Sequence, residues 1–270
     1  MKRLFTTLGL LVALISVSLF SCKNNAVDQA TSDDVKVADL AVNEVFTYTS
    51  SETGTSKLAM DEDNGMDVDI DIDSASGKGI TLISFQNYQT RNGHTLNGQI
   101  KIEWQLGWFT DSTKSASVTF INYKRDSIGI EGYITIRHSF TITENLEFHP
   151  VYKITESNMK ITLPDGKNAT WSGTKEIEWL SGWKTRFLRS DDIYKINWQK
   201  NGTNRNGVGF TATGTDIKYD ATCTKFPLTE GKISIVTDEG KSLEINYGDG
   251  ECDGSYTVTV GNSTIVVDND

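Results

Sequence analysis

The sequence has little proline, cysteine and histidine, and it has no excess of positive charge. Its 270 residues include 3 Pro, 3 Cys and 3 His. Lys and Arg together number 26 against 36 Asp and Glu, which gives a formal net charge of −10. Nucleic acids and anionic lipid headgroups are bound through clustered basic residues. The charge balance therefore excludes nucleic acid as an expected partner.

Motifs for catalysis and metal binding are lacking as well. The chain has no His-Glu-x-x-His, Gly-x-Ser-x-Gly or phosphate-loop sequence, and its histidines are scattered. Asp249, Glu251 and Asp253 resemble the start of a calcium loop. However, Ca²⁺ needs six or more oxygen ligands, and a turn rich in Gly and Asp explains this segment more simply. We therefore expect no enzyme, no cofactor and no metal site.

The first residues have the pattern of a secretory signal. Lys2 and Arg3 precede an apolar stretch over 4–20, which at 17 residues is short for a membrane span of about 20. The stretch ends in Leu-Phe-Ser-Cys at 19–22, which resembles the bacterial lipobox. We interpret 1–21 as a lipoprotein signal peptide and Cys22 as lipidated, which predicts an outer-membrane lipoprotein of the cell envelope. The alternative is an ordinary cleaved signal with an incidental cysteine.

The remaining two cysteines form an even pair in what would be an oxidising compartment. We predict a disulfide between Cys223 and Cys252, which would close a loop of about 30 residues. The alternative is two separate buried thiols.

Acidic residues concentrate near the N-terminus of the mature chain. Residues 23–79 contain 13 acidic and 4 basic residues, a net charge of −9. We interpret 22–65 as an acidic tether, since like charges extend a chain. Within it, apolar residues at helical spacing predict a short helix near 33–47, namely Val37, Leu40, Ala41 and Val45.

From residue 66 to the C-terminus, apolar and polar residues alternate with a period of two. This pattern is typical of half-buried strands separated by turns such as Asn97-Gly98 and Asn206-Gly207. It predicts strands at 68–72, 79–85, 99–105, 117–123, 128–137, 151–163, 174–180, 193–198, 208–215, 232–236, 243–247, 256–260 and 264–267. Short turns favour antiparallel pairing, because parallel strands need long crossovers.

An internal repeat lies within this region. The sequence IEWQLGW at 102–108 recurs as IEWLSGW at 177–183, and the shift of 75 also relates Gly98 to Gly173 and Asn122 to Asn197. Such a match indicates a duplicated unit, about 98–142 and 173–217, with 231–267 as a closing unit. We expect an all-β domain over 66–270, a duplicated antiparallel β-meander forming a twisted sandwich or open barrel, preceded by the short helix.

The motifs of the β region resemble those of a lipoprotein family of Bacteroidetes-type bacteria. The resemblance rests on Arg-Asn-Gly at 91–93, Gly-Gln-Ile-Lys-Ile at 98–102, Phe-Ile-Asn-Tyr at 120–123 and Ile-Glu-Gly at 130–132. The ending NYGDGECD at 246–253 is similar to the C-terminal signature of that family. The resemblance implies an envelope location and repeated antiparallel β units, and it carries over no catalytic residue.

The tryptophans of the repeat are the candidate binding residues. Trp104 and Trp179 alternate with charged residues, which predicts equivalent core positions, whereas Trp108 and Trp183 follow a glycine at a strand end. Exposed aromatic faces there would suit a glycan or an envelope protein. We therefore predict a lipid-anchored, non-catalytic protein with a binding or structural role. The alternative is a carrier that holds an apolar ligand in a curved-sheet cavity.

Overall fold

The computed structural model describes residue 27 and residues 29–51, 65–90, 93–108, 111–185, 189–223 and 226–268. One helix, α1, spans Gln29–Ser51. It is followed by strands β1 Met66–Asp73, β2 Lys78–Gln89, β3 Thr95–Gln105, β4 Ala116–Arg125, β5 Ile128–Ile142, β6 Phe148–Thr162, β7 Asn168–Ser181, β8 Ile193–Thr203, β9 Gly209–Asp220, β10 Leu228–Thr237, β11 Ser242–Asp249, β12 Ser255–Val260 and β13 Ser263–Asp268. Two short 3-10 turns, Trp183–Thr185 and Arg189–Asp191, separate β7 from β8.

All the strands belong to one antiparallel sheet. Its 13 strands are neighbours in the order of the chain, from β1 to β13. The all-β meander that the alternation predicted is confirmed, and each predicted segment lies on its own strand to within one residue. β1 and β13 each pair with a single neighbour, so the sheet is open.

Several strands are longer than the sequence predicted, and the β5–β6 pair is the one that matters for the site. β5 continues to Ile142 instead of ending at residue 137, and β6 begins at Phe148 instead of 151. Together they form one long hairpin. The predicted disulfide is confirmed: Cys223 and Cys252 are bonded, with their Cα atoms 5.3 Å apart, and they join the β9–β10 and β11–β12 connections.

The sheet curls around α1. Laid flat, 13 strands at about 4.8 Å spacing would be roughly 58 Å wide, far more than one helix of about 10–12 Å can cover. Nevertheless, one continuous core runs from Val68 on β1 to Val260 on β12 and includes Val35, Ala38 and Val42 of α1. One face of the sheet must therefore bend over the helix.

Bulges on successive strands supply this bend. The pairing register shifts between β2 and β3, β3 and β4, β4 and β5, β5 and β6, β6 and β7, and β8 and β9. Residues in the left-handed region lie at these shifts, including Asn122 with φ 49° and Asn158 with φ 50°. At Gly98, with φ 90°, a Cβ would lie 2.3 Å from the carbonyl oxygen of Asn122. Bulges bend and twist a strand, so the Asn and Gly residues of the repeat shape the sheet.

α1 is longer than predicted and is part of the folded body. It begins at Gln29, before the predicted start at 33, because Thr31 and Asp34 bond to residues of the β8–β9 turn. Its buried apolar residues are Val35, Ala38, Ala41, Val42 and Val45. The part of α1 from Val35 to Val45 therefore contributes to the core, although it lies in the segment predicted as a tether.

The repeated units fall on equivalent strands. The first copy corresponds to β3, β4 and β5, and the second corresponds to β7, β8 and β9. Ile102 and Ile177, which are equivalent in the repeat, are both buried.

Within the described residues, no helix has both the length and the apolar character needed to cross a membrane. The predicted signal peptide at 1–21 and the predicted lipid site Cys22 lie outside the described residues.

Candidate functional site

The two ends of the sheet differ in their connections. At one end, which we call the turn end, the β2–β3, β4–β5, β6–β7, β8–β9, β10–β11 and β12–β13 connections have at most five residues. At the other, the loop end, the β3–β4 connection has 10 residues and the β7–β8 connection has 11. Because binding residues commonly lie on loops held by a rigid scaffold, the loop end is the place to look for a site.

The β5–β6 hairpin is the prominent apolar feature of the loop end. Its pairing continues to Ile142 opposite Phe148, whereas β4 pairs with β5 only as far as Ala116 opposite Ile136. On the other side, β7 pairs with β6 only as far as Glu178 opposite Val151. The end of the hairpin therefore extends past the first residue of β4 and past its last backbone pair with β7, although β7 itself continues to Ser181. We call residues 140–148 the hairpin tip.

Four large apolar side chains of the hairpin tip face solvent. Their exposed fractions are 47% for Phe140, 58% for Ile142, 78% for Leu146 and 51% for Phe148. Phe140, Ile142 and Phe148 share one face of the hairpin, because side chains alternate along a strand and Ile142 lies directly opposite Phe148. A contiguous apolar patch on a protruding element is typical of an interaction site.

The base of the hairpin is fixed by aromatic and charged contacts. The buried His138 ring makes an edge contact with Phe140 at 4.6 Å between centroids, and burial lowers the pKa of His138. On the opposite face, the His149 Nδ1 lies 3.0 Å from Oε1 of Glu178 on β7. These contacts hold the hairpin base in place, and the tip is presented on a rigid support.

The tryptophans singled out in the sequence are less available than the hairpin tip. Trp108 is buried, and Trp104 and Trp179 are half-buried against the core. The indole N–H of Trp104 donates to Oγ1 of Thr81 at 3.1 Å, and that of Trp179 donates to Oδ1 of Asp192 at 3.1 Å. The structure thus places Trp104 and Trp179 at equivalent positions at the margin of the core.

Trp183 lies in the β7–β8 connection and is half-buried. The Nζ of Lys184 is 5.3 Å from the centre of a Trp183 ring. The structure does not bring the four tryptophans together as one open platform.

The acidic C-terminal segment lines a cleft at the loop end. The cleft has a volume of about 160 Å³, and Asp249, Glu251 and Asp253 are among its lining residues. In the described part of the chain, no group of three or more His, Cys, Asp or Glu side chains is arranged to hold a metal ion. Asp253 accepts a hydrogen bond from the amide of Ser255 at 2.8 Å, as expected for a turn.

A network of buried charges connects α1 to the second copy of the repeat. Asp39 of α1 accepts a hydrogen bond from Nζ of Lys175 on β7 at 2.9 Å, and Nζ of Lys200 on β8 lies 3.5 Å from the same oxygen. Lys200 is also 3.5 Å from Oε1 of Glu156 on β6, whose other oxygen accepts from the indole of Trp171. The four charged side chains are at most 2% exposed.

Pairing with the lysines lowers the pKa of the Asp39 carboxyl. Burial alone would raise the pKa of Asp39, but the ammonium groups of Lys175 and Lys200 lower it to about 2. Burial also lowers the pKa of Lys175, although Asp39 opposes that effect. Asn43 completes the network, because it accepts from Lys175 at 2.6 Å and donates to Asp39 at 3.0 Å.

Sequence reasoning missed both the hairpin tip and the charge network. The alternation in β7 already placed Lys175 on the same face as the buried Ile177, which is an unusual position for lysine. Comparisons with protein-family models, curated proteins and solved structures found no match for this chain.

Proposed function

We propose that this is a lipid-anchored, non-catalytic protein of the cell envelope that recognises a partner protein through the hairpin tip. The observation that carries the proposal is the exposure of four large apolar side chains on a hairpin that continues beyond its backbone pairing with β4 and β7. Monomeric proteins seldom expose such a patch without a binding role.

The charges of the hairpin tip indicate the kind of partner. Glu144 and Glu147 lie between the apolar residues, and both are exposed. With a net charge of −10 on the whole chain, an anionic lipid surface would repel this tip. An apolar groove on a protein, flanked by Lys and Arg, would be complementary to it.

A protein partner agrees better with the site than a glycan does. Glycan binding would use open Trp faces, whereas Trp108 is buried and the indoles of Trp104 and Trp179 bond within the protein.

A protein partner also agrees better with the structure than the carrier alternative does. α1 occupies the face of the sheet on which an apolar ligand would lie, and its side chains fill the core there.

The proposed lipid anchor would leave the hairpin tip facing away from the membrane. α1 begins at the turn end, where Thr31 accepts a hydrogen bond from Asn204 at 2.7 Å and Asp34 accepts one from Arg205 Nε at 2.7 Å. Six residues lie between Cys22 and Gln29, so the seven Cα-to-Cα steps that join them can span at most about 25 Å. A lipid on Cys22 would therefore hold the turn end near the membrane. The tip would then face away, because the 15 residues of β5 extend for about 50 Å.

Site-specific photo-crosslinking in the native envelope tests the proposal. A photoreactive residue would replace Leu146 in the tip or, as a control, Glu239 in the β10–β11 turn. We expect a discrete protein adduct from position 146 and none from position 239. The adduct should disappear when Glu144 and Glu147 are both changed to Lys. Crosslinking only to lipid, only to a second copy of this chain, or without sensitivity to the charge change would contradict the proposal.

A further inference from the structure

The open edge of β5 is the most specific feature of the hairpin. Past Ile136, β5 pairs with β6 on one side, and within the described residues no strand pairs with its other side. This leaves residues 137–142 as a strand with one unpaired edge in the middle of the sheet.

The hydrogen-bonding pattern shows which backbone groups face that edge. The amide of Thr143 donates to the carbonyl of Glu147 at 2.9 Å and closes the hairpin. Because bonded and non-bonded pairs alternate in an antiparallel ladder, Thr141 bonds to β6 while Phe140 and Ile142 do not. Pro150, which has no N–H, lies opposite Phe140 and agrees with this assignment. The N–H and C=O groups of Phe140 and Ile142 therefore point to the open edge.

This edge lacks the features that usually prevent strand pairing. Residues 137–142 include one charged residue, Arg137, and no proline, and their pairing with β6 has no register shift. The edge strand β1 differs, because Asp67, Asp69, Asp71 and Asp73 alternate along it. Charges of this kind on an edge strand discourage pairing with another chain.

We propose that the partner adds an extended segment to β5 along residues 137–142. This inference rests on the proposed function and specifies how the same surface is used. Main-chain bonds to Phe140 and Ile142 would give affinity, and alternate apolar side chains of the segment would lie beside the Phe140 and Ile142 side chains. The exposed Glu144 and Glu147 select Lys or Arg at the end of the segment that meets the tip.

The experiment starts from a phage library of random dodecapeptides selected on the lipid-free chain 22–270. Selected peptides should alternate apolar residues and carry Lys or Arg near one end. Their affinity would be measured by calorimetry against two matched pairs of variants, Phe140→Pro with Phe140→Ala and Ile142→Pro with Ile142→Ala. Each Pro variant removes an edge-facing N–H, whereas its Ala partner keeps it, so we expect the Pro variants to bind at least ten-fold more weakly than the Ala variants.

Hydrogen exchange supplies a second readout that is independent of side-chain loss. On peptide binding, the amides of Phe140 and Ile142 should exchange at least ten-fold more slowly, while amides of β13, the free edge strand at the far side of the sheet, should not change. Urea midpoints equal to that of the wild type would show that the Pro variants fold.

The outcomes separate this inference from the proposed function. Equal loss in the Pro and Ala variants would overturn strand addition and leave binding through side chains of the tip. Selection of no peptide, or only of peptides that bind elsewhere, would also overturn it. The wider proposal is contradicted by a separate result, namely that position 146 gives no protein adduct when Glu144 and Glu147 are unchanged.

Discussion

Removing the carboxylate of Asp39 tests whether charge fixes α1 to the sheet. In Asp39→Asn, the ammonium groups of Lys175 and Lys200 keep Glu156 as their one buried anion in the described network. Breaking a buried ion pair from one side costs about 3–5 kcal/mol, because a charge remains without compensation. Deprotonating one lysine at pH 7 would cost about 5 kcal/mol and limits the loss. We therefore expect the free energy of unfolding to fall by about 4 kcal/mol.

The measurement is urea unfolding followed by tryptophan fluorescence, since Trp171 bonds to Glu156 and a Trp198 ring lies 5.6 Å from Nζ of Lys200. With a slope of about 2–3 kcal/mol per molar urea, the midpoint should fall by roughly 1.3–2 M. The matched control is Asp33→Asn. Asp33 is on the same helix and accepts an exposed 3.3 Å bond from Gln29, so a change below about 0.5 kcal/mol is expected.

The pKa shifts also predict how the free energy of unfolding changes with pH. The pKa of Asp39 is about 2 in the folded protein, below its ordinary value of 3.8. Its contribution to stability is therefore complete above about pH 4 and is lost as the pH falls through 2. In Asp39→Asn this acid-dependent loss should be smaller. Instead, the variant should gain stability as the pH rises toward 10.5, because burial lowers the pKa of Lys175, so the folded lysine releases its proton while the unfolded lysine, with its ordinary pKa of 10.5, still holds it.

A compensating variant separates charge from packing. Asp39→Asn combined with Lys175→Met removes one charge of each sign and leaves Lys200 beside Glu156. We expect the double variant to recover at least half of the stability that Asp39→Asn loses. A loss below about 1 kcal/mol in Asp39→Asn, or a loss that the second substitution does not relieve, would refute the role that we assign to the network.

Three further predictions concern the disulfide, a glycine and the hairpin tip. Changing Cys223 and Cys252 to Ser should lower the free energy of unfolding by about 3–4 kcal/mol in urea titrations, because the bond closes a loop with a sequence separation of 29. Gly173→Ala should cost about 1–3 kcal/mol, since its Cβ would lie 2.5 Å from the carbonyl oxygen of Gln199, whereas Gly129→Ala, with its nearest contact at 3.7 Å, should cost less than 1 kcal/mol. Replacing the four apolar residues of the hairpin tip by Ser should reduce stability by no more than about 2 kcal/mol, and a larger loss would mean that the tip supports the fold.

The strands could be predicted because burial of one face of the sheet requires an apolar residue at every second position. Val68, Ile83 and Ile100 are buried as the alternation indicates. The extension of β5 beyond residue 137 could not be predicted in this way, since the apolar residues there remain exposed and their neighbours Thr141 and Thr143 are equally compatible with a loop. Exposure of an apolar residue depends on what the rest of the chain covers, and alternation does not contain that information.

The position of α1 could not be predicted either, because it too depends on contacts with distant parts of the chain. The helical spacing indicated an apolar stripe, and acidic neighbours suggested a solvated segment. Whether Asp39 faces water or a lysine depends on contacts across 136 residues of sequence. The tether was the simpler interpretation of charge, and long-range pairing shows that the described part of α1 around Asp39 packs on the sheet.

The duplication itself explains why the helix needs charged contacts. A sheet with two similar copies offers α1 two similar apolar faces, and small residues such as Ala38, Ala41 and Val42 could fit either of them. The copies differ where α1 binds: Lys175 in the second copy corresponds to the buried Ile100 in the first. We infer that the buried ion pair fixes the register of α1, a role that single buried polar residues have in coiled coils. Asp39 therefore finds its partner only on the second copy.

Two charged contacts along one helix also fix its position along the axis. Asp34 bonds to Arg205 in the β8–β9 turn, and Asp39 bonds to Lys175 on β7. Sliding α1 by one turn, about 5.4 Å, would separate both carboxylates from their partners while leaving much of the apolar stripe in contact. Apolar packing tolerates that slip and the charges do not. The charges thus set where α1 lies on the sheet. The sheet curls around the helix that it covers. As a result, the exposed hairpin tip is held at the end of the sheet opposite the start of α1.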